Sequence, residues 1–187
     1  MSPSMIYTEQ SQKACTVEDL ERRTNMLTLR DITKENLIPV TDLEMEDSQK
    51  GFVEDNLFSI AECYLYDEFI PKAIYDGDTP IGFVLYYFVE DDPDYVFLHR
   101  IMVDKNQQGK GYGVRSLEAC VEQFKKEFPS IGCVELIHYP DNDRAAAVYE
   151  KAGFKLTGDR YDSAPGRIER GIEDENRTYE VVRRRYY

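Results

Sequence analysis

A glycine-rich turn is the first feature of this 187-residue sequence that could carry chemistry. The apolar segment 96–103 is followed by Asp104, and Gly109, Gly111 and Gly113 then precede helix-forming residues. Glycines at alternate positions let successive backbone N–H groups converge without obstruction by a Cβ atom, and the start of a helix adds further unpaired N–H groups. The segment therefore predicts a binding site for a polyphosphate.

Two common phosphate-binding motifs do not fit this turn. A P-loop requires the string G-x-x-x-x-G-K-[ST], which does not occur in the sequence. A G-x-G-x-x-G dinucleotide fingerprint fails because its last position falls on Val114 or on Ser116. The pattern that remains is Q-x-x-G-x-G, which is formed by Gln108, Gly111 and Gly113.

A second motif lies downstream and contains a tyrosine. Residues 142–154 match N-x-x-A-x-x-x-Y-x-x-x-G-F, with Asn142 at the first position and Tyr149 at the tyrosine position. Together the two motifs resemble the GCN5-related N-acetyltransferase (GNAT) family, whose ligand at the first motif is the pyrophosphate of coenzyme A. The resemblance extends over roughly residues 26–160.

The resemblance implies acetyl-CoA as cosubstrate and direct attack of an amine on its thioester in a ternary complex. The strand that ends at residues 101–103 is expected to splay from the strand at 133–138, and pantetheine would pair with backbone groups in the gap. No metal ion is implied. The resemblance also implies that backbone N–H groups of residues 108–113 hold the pyrophosphate. The implied cofactor-binding residues are Ile101, Met102, Val103, Gln108, Gly109, Lys110, Gly111, Tyr112, Gly113, Val114 and Asn142.

Two residues are candidates for handling protons in this reaction. The resemblance places Tyr149 near the sulfur of the thioester, where it would donate to the departing thiolate; the alternative is a tyrosine packed in the core. Polyamine acetyltransferases of the family carry an acidic residue just before the pantetheine-contacting residues, and His99 stands at that position here. A neutral histidine with a pKa of ~6.5 can accept a proton from an amine. His99 is therefore either the general base or a core histidine.

The elements that position these residues follow from the spacing of apolar residues. Helices are predicted from Thr33, which would cap the first one, over 54–66, from the glycine turn to Phe128, and from Asp141 or Asn142 to Ala152. Leu57, Ile60, Ala61 and Tyr64 would form the buried face of the second helix. Strands are predicted over residues 26–32, 71–75, 80–89, 95–104, 131–139, 154–161 and 178–183.

The resulting order, β-α-α-β-β-β-α-β-α-β-β, indicates an α+β domain. The resemblance implies that its sheet is mixed and mostly antiparallel, is flanked by helices and is of the GNAT type. Polar residues 1–24, with a short helix over 18–23, are expected to form an extension outside the core, and residues 25–187 a single acetyltransferase domain.

Composition limits the class of protein. The sequence has no run of 18 apolar residues and no secretory signal, and its four cysteines form no C-x-x-C pair, so we expect a protein of the reducing cytoplasm. A net charge of −13 argues against nucleic acid as a partner. A small-molecule amine is the expected partner, without a membrane, and a homodimer is left open as the oligomeric state.

The excess negative charge is concentrated in one segment. Residues 31–95 contain 17 acidic and three basic residues, a charge of −14, whereas the other 122 residues carry a charge of +1. This segment would attract a cation or would simply form a solvated face. Tyr64, Tyr66 and Phe69 lie near the first two predicted helices. The acidic residues near the same helices are Glu44, Glu46, Asp47, Glu54, Asp55, Glu62, Asp67 and Glu68.

The acceptor is the least defined part of the prediction. In the GNAT family, which this sequence resembles, the acceptor pocket is built largely by the first two helices. Here these helices lie in the acidic segment. The sequence of residues 98–111 is also similar to the corresponding segment of bacterial spermidine/spermine acetyltransferases. We therefore expect spermidine or spermine as the acceptor. The alternatives are another small amine, such as an amino acid or aminoglycoside, or a non-catalytic acetyl-CoA sensor.

Overall fold

The structure is a computed structural model that describes residues 26–89, 95–162 and 179–187. The predicted extension over residues 1–24, with its short helix, lies outside the described residues. The same holds for residues 90–94 and 163–178.

The described residues form the predicted sequence of strands and helices. We label the strands β1 to β7 and the α-helices α1 to α4 in chain order. The elements are β1 (Thr28–Asp31), α1 (Leu37–Thr41), α2 (Asn56–Glu62), β2 (Ile70–Asp76), β3 (Thr79–Phe88), β4 (Tyr95–Val103), α3 (Tyr112–Glu127), β5 (Cys133–His138), α4 (Asp143–Lys151), β6 (Lys155–Asp162) and β7 (Tyr179–Tyr186). The α+β class and the order of elements are confirmed.

A single seven-stranded sheet joins these strands in the order β1-β2-β3-β4-β5-β7-β6. All neighbouring strands are antiparallel except β4 and β5, which are parallel. Strands β2 and β3 form a hairpin, because they pair across the turn at Gly77. The sheet is thus mixed and mostly antiparallel, as expected.

The two faces of the sheet pack against different helices. On one face α3 buries Leu117, Cys120, Val121 and Phe124, whose spacing of three and four residues forms one stripe of the helix. On the other face Val40 of α1 packs with the strand residues Phe83, Leu85 and Met102, while Ile60 of α2 lies against the same cluster. The sheet is therefore buried between helices from both sides.

The second helix differs from the prediction in length and in orientation. Its buried residues are the polar Asn56 and Ser59, whereas Leu57 is 62% exposed and Tyr64, beyond the helix end, is 90% exposed. The Asn56 amide donates to the Val40 carbonyl at 2.8 Å, and the Ser59 hydroxyl donates to the Asp55 carbonyl at 2.8 Å. The predicted apolar face is correct only at Ile60, which packs against the core, whereas Leu57, Ala61 and Tyr64 are exposed. The buried hydrogen bonds of Asn56 and Ser59 hold the buried side of this short helix.

The predicted capping role of Thr33 was also wrong. Helix α1 begins later, with Asn36 at the N-cap, and Thr33 belongs to the preceding turn. There the Thr33 backbone N–H donates to the Asn36 side-chain oxygen at 2.7 Å, and the Asn36 amide donates to the Asp31 carbonyl at 2.8 Å. Asn36 therefore closes the turn that directs the chain from β1 into the helix.

Gly82 of β3 lies where the backbone of β4 approaches most closely. It pairs with Val103, and a Cβ atom at this position would clash with the Met102 carbonyl oxygen. We expect Gly82→Ala to lower the free energy of unfolding by about 1–3 kcal/mol, because backbone must shift to relieve the contact. Denaturant unfolding measures this loss, with Thr79→Ala at the exposed start of β3 as the control. Equal stability of the two variants would contradict the prediction.

Candidate functional site

The site begins where strands β4 and β5 separate. Their parallel pairing covers three residue pairs, Tyr95 to Phe97 against Cys133 to Glu135, and ends there. Beyond this point β4 pairs with β3, and β5 pairs with β7. The expected splay of the two strands is therefore present, and it leaves backbone groups of β4 facing a gap.

The direction of the β4 backbone groups follows from alternation along the strand. The Asp104 N–H donates to the Ile81 carbonyl on the β3 side at 2.9 Å. Since successive residues of a strand direct their N–H and C=O groups to opposite sides, the groups of Val103 and Ile101 point into the gap. These are the groups expected to pair with pantetheine, and one of them, the Val103 carbonyl, also accepts from the Gln108 side chain at 2.8 Å.

A cavity of about 400 Å³ occupies this gap. Every residue named for cofactor binding from the sequence lines it except Lys110, and both proton-handling candidates line it as well. Lys110 instead donates to the Asn106 carbonyl at 2.8 Å and to the Gln107 side chain at 3.0 Å. Its side chain therefore supports the turn from outside the cavity.

The glycine turn presents a set of unused backbone donors. Gly109 and Gly111 have φ angles of 76° and 81°, and Gly111 is the N-cap of α3. Within the described part of the chain, the N–H groups of residues 109–114 donate to no backbone or side-chain acceptor. A Cβ atom on Gly109 or Gly111 would meet no atom within 4 Å, so the space in front of the turn is open. This arrangement fits a pyrophosphate.

Gln108 and Gly113 also have structural roles at the turn. The Gln108 backbone N–H, expected among the phosphate donors, already donates to the Asp104 carbonyl at 3.1 Å. Gly113 lies inside α3, where a Cβ atom would come within 3.1 Å of Val148 on α4. The absence of a side chain at Gly113 therefore allows the two helices that border the cavity to pack closely.

The connection between α1 and α2 is attached to the glycine turn by hydrogen bonds. The Glu44 N–H donates to the Asp104 carboxylate at 3.1 Å, and the Glu44 carbonyl accepts from the Lys105 N–H at 2.7 Å. The Gln108 amide also donates to the Gln49 side chain at 2.7 Å. Sequence reasoning missed these contacts because they join residues about 60 positions apart, as in the Glu44–Asp104 bond.

Asn142 and Tyr149 lie at opposite ends of α4. The Asn142 side-chain oxygen caps the helix by accepting from the Ala145 N–H at 3.1 Å, which leaves its amide N–H₂ group for a ligand. Burial raises the pKa of Tyr149 to about 12, and the nearby charge of Arg183 opposes this rise. Tyr149 therefore remains a neutral phenol, able to donate a hydrogen bond, throughout the physiological pH range.

His138 and Arg183 form a buried pair beside Tyr149 that the sequence did not identify. The rings of His138 and Tyr149 lie 5.5 Å apart, and the Arg183 Nε donates to His138 Nε2 at 2.9 Å. Burial lowers the pKa of His138, and Arg183 lowers it further against the opposing hydrogen bond with the Tyr139 carbonyl. His138 is therefore a neutral imidazole that accepts at Nε2. The pairing arises where β5 and β7 meet, which no local pattern indicates.

His99 lies at a β-bulge of β4. Leu85 and Tyr86 of β3 are consecutive, but they pair with Arg100 and Leu98, so His99 is the additional residue on β4. Its ring packs at 5.0 Å from that of Phe69, and the residue lines the cavity. The bulge also turns Arg100 toward α2, where it pairs with Glu62.

The acceptor side of the cavity uses few of the acidic residues singled out in the sequence. Glu44, Asp47 and Glu62 form ion pairs with Lys105, Lys50 and Arg100, and the Asp55 side chain caps α2. Of those eight acidic residues Glu54 alone lines the cavity, and Glu180 of β7 is a second carboxylate there. Glu54 forms no ion pair within the described residues.

Comparison with known proteins agrees with this geometry. Residues 36–154 match the acetyltransferase (GNAT) family. The chain is 28% identical over 141 residues to a probable spermine N(1)-acetyltransferase of Bacillus subtilis subsp. natto, covering 71% of this chain and 90% of that protein. It is 30% identical over 96 residues to a Klebsiella pneumoniae aminoglycoside N(6')-acetyltransferase, covering 46% of this chain and 47% of the relative.

Solved structures share the fold. The aminoglycoside acetyltransferase AAC(6')-Ib in complex with coenzyme A superimposes with a TM-score of 0.66 at 20% identity, over 86% of this chain and 94% of that one. The family match covers more than half of the sequence. The chain therefore belongs to the GNAT family. It is an N-acetyltransferase whose acetyl donor is acetyl-CoA.

Two further observations concern the described residues alone. They contain no cluster of three or more histidine, cysteine or acidic side chains arranged to hold a metal ion. Among the same residues no helix has the length and apolar character needed to cross a membrane.

A substitution at the N-cap glycine tests the phosphate site. We expect Gly111→Val to raise the Kd for acetyl-CoA at least ~10-fold, because the side chain projects into the open space and the positive φ strains the turn. Isothermal titration calorimetry measures the affinity. Gly158→Val is the matched control, because Gly158 also has a positive φ of 90° with no neighbour within 4 Å and does not line the cavity. Unchanged binding by Gly111→Val would contradict the assignment.

Proposed function

We propose that this enzyme transfers the acetyl group of acetyl-CoA to a primary amine of a polyamine, spermidine or spermine, in a ternary complex. The observation that carries the proposal is the pair of carboxylates, Glu54 and Glu180, in the same cavity as Tyr149 and the glycine turn. Carboxylates in a partly enclosed cavity attract cations and raise their local concentration. The similarity to the probable spermine N(1)-acetyltransferase supports the same acceptor class.

Aromatic rings beside these carboxylates suit a cationic acceptor. Phe52 and Tyr139 line the cavity with their ring centroids 6.4 Å apart. An ammonium group over an aromatic face gains roughly 0.5–1 kcal/mol at an exposed site and more where it is desolvated. Rings and carboxylates together favour an acceptor with several separated positive charges over a neutral one.

The proposed role of Tyr149 is to donate a hydrogen bond to the departing sulfur. Attack of the amine forms a C–N bond, the C–S bond breaks, and its electron pair leaves with the sulfur of coenzyme A. The pKa of Tyr149, about 12, exceeds that of an ordinary thiol, ~8.5, so complete proton transfer to the thiolate is unfavourable. A hydrogen bond to the developing negative charge stabilises the transition state without that cost.

We retain His99 as the proposed general base. The amine arrives as an ammonium ion with a pKa near that of lysine, ~10.4, and must lose a proton before it can attack. The position of His99 on the cavity wall supports this role. The packing of its ring against Phe69 is equally compatible with a histidine that shapes the acceptor pocket.

An aminoglycoside is the second candidate acceptor. The observation that favours it is the similarity to aminoglycoside acetyltransferases in sequence and in fold. Aminoglycosides are also polycationic amines, so charge alone does not separate the two classes. Assay of purified enzyme with acetyl-CoA and a panel of amines, followed by release of free thiol, distinguishes them. No turnover with any amine, despite binding of acetyl-CoA, would favour a sensor.

The cellular setting is part of the same proposal. Cys63, Cys120 and Cys133 are free thiols in the described part of the chain, which supports a reducing compartment such as the cytoplasm. For the oligomeric state, a homodimer and a monomer are the two alternatives.

Removal of the Tyr149 hydroxyl tests its role. We expect Tyr149→Phe to lower kcat by ~10²-fold with little change in affinity for acetyl-CoA, because the lost hydrogen bond forms mainly in the transition state. Because burial raises the pKa of this group to about 12, its ionisation should cause no loss of parental kcat below about pH 10. Tyr161→Phe, outside the cavity, is the control. Turnover of Tyr149→Phe within twofold of the parent would assign Tyr149 to core packing.

Ionic strength and one carboxylate test the polyamine assignment. We expect kcat/KM for spermidine to fall steeply as salt rises, mostly through KM, because salt screens charges beyond ~8 Å at physiological ionic strength. A monocationic amine should show a shallower fall. Glu54→Gln should raise KM for spermidine several-fold more than for the monoamine, since it removes one charge from the cavity.

Three controls accompany this experiment. Saturating acetyl-CoA removes the effect of salt on the anionic cofactor, and a melting curve at each salt concentration reports stability. Glu46→Gln removes an exposed charge of the same segment that does not line the cavity. A kcat/KM for spermidine that is flat with salt, or equal effects of Glu54→Gln and Glu46→Gln, would reject the polyamine while leaving the acetyltransferase assignment intact.

A further inference from the structure

Arg183 is a buried cation without a carboxylate partner among the described residues. Its side chain is 7% exposed, and its hydrogen bonds go to His138 Nε2 at 2.9 Å and to the Phe154 carbonyl at 3.3 Å. The adjacent Arg184 differs, because it pairs with Glu135 at 2.5 Å and with Asp159 at 3.6 Å. The charge of Arg183 is thus solvated by neutral groups only.

Burial of such a charge is costly in free energy, so we look for a function of the charge at this position. Desolvation of an unpaired ion costs several kcal/mol, and apolar residues of similar volume often stabilise a protein better than a buried ion does. Arg183 lies on β7 opposite the buried Leu136 of β5, where an apolar side chain would pack against the core. A function for the positive charge is therefore the explanation to test.

His138 connects this charge to the cavity. Its Nδ1 lies 2.8 Å from the Tyr139 carbonyl, and its Nε2 accepts from Arg183. Since a carbonyl only accepts hydrogen bonds, Nδ1 carries the proton and both ring nitrogens are engaged. His138 thus has no nitrogen for the substrate, while its ring lies against Tyr149 and lines the cavity.

We propose that Arg183 is a positioning residue for acetyl transfer, whose guanidinium orients His138 and Tyr149 and places a positive charge behind the point where the thiolate departs. This inference rests on the proposed role of Tyr149 in the acetyltransferase reaction. As the C–S bond breaks, the electron pair passes to sulfur. The fixed charge lowers the free energy of that anion without contacting it. The lowering effect of Arg183 on the pKa of Tyr149 has the same sign and supports the proposal.

Other charged or titratable groups also lie near Arg183 or line the cavity. Next to Arg183 the titratable groups are His138 on β5 and Tyr149 on α4, and Arg185 lies two residues along the same strand. The remaining charged residues that line the cavity are Glu54, Arg100, Arg144, Lys151 and Glu180. Arg144 and Lys151 are exposed, so solvent screens their effect on sulfur more than that of a buried guanidinium.

The test is a titration of coenzyme A bound to the full-length enzyme. The thiolate absorbs in the ultraviolet, so the pKa of the bound thiol is read from the difference in absorbance between complexes with coenzyme A and with its desulfo analogue, in the parent and in Arg183→Met. We expect the substitution to raise this pKa by about one unit, because a nearby positive charge favours the anionic form. With acetyl-CoA and the accepted amine, kcat should fall ~10-fold while KM for acetyl-CoA changes less than twofold.

Three further variants separate charge from structure. Arg183→Lys retains the charge and should keep the thiol pKa close to that of the parent. Arg185→Gln is the matched control, because Arg185 lies on the same strand and donates to the Ala152 carbonyl at 2.8 Å without lining the cavity. If Arg183→Met does not fold, the double variant His138→Phe/Arg183→Met replaces both buried partners by apolar groups and is titrated instead.

Each outcome bears on the inference. An equal thiol pKa and an equal kcat in the parent and in Arg183→Met, or in the double variant, would overturn it. An equal shift of the thiol pKa in Arg185→Gln would also overturn it, because the shift would then reflect the total positive charge of the strand and not the position of Arg183. A parent that binds coenzyme A but acetylates no amine would overturn the proposed function itself, and the inference with it.

Discussion

The early end of pairing between β4 and β5 is the constraint on which the site depends. Three paired residues hold the strands together, and beyond Phe97 and Glu135 each strand pairs only with its other neighbour. The unpaired edge exposes backbone groups that in a continuous sheet would be satisfied internally. Such an edge needs a ligand or water to complete its hydrogen bonds, and an extended amide-containing chain is a suitable one.

In the proposed mechanism, neutral donors and one remote charge stabilise the negative charge that develops in this cleft. The glycine turn offers backbone N–H groups, Tyr149 offers a neutral hydroxyl, and the Arg183 charge lies behind His138. Fixed dipoles of this kind are already oriented when negative charge develops, so no reorganisation cost arises during the reaction. By contrast, acidic residues of the described segments, such as Asp31, Glu44 and Asp55, lie in ion pairs or at a helix cap.

The order of elements and the cavity beside the glycine turn were predictable because their signals are local. The glycine turn, the strand before it and the motif from Asn142 to Phe154 each lie in one short segment. The orientation of α2 was not predictable, because Asn56 is held by a carbonyl of α1 rather than by an apolar stripe. The His138–Arg183 pair was missed for a related reason, since it requires the register of two strands 45 residues apart. The N–H of Gln108 was assigned to phosphate because the short helical turn before it was not foreseen.

The attachment of the α1–α2 connection to the glycine turn has a consequence for how this scaffold can change. Two of its hydrogen bonds use main-chain atoms of residue 44, whereas the Gln49–Gln108 contact and the Glu44–Lys105 ion pair each require two particular side chains. None of these contacts involves Phe52, Val53 or Glu54, which line the cavity. A lineage could replace this wall of the cavity to accept a different amine while the cofactor turn stays intact, so substrate choice can evolve independently of cofactor use.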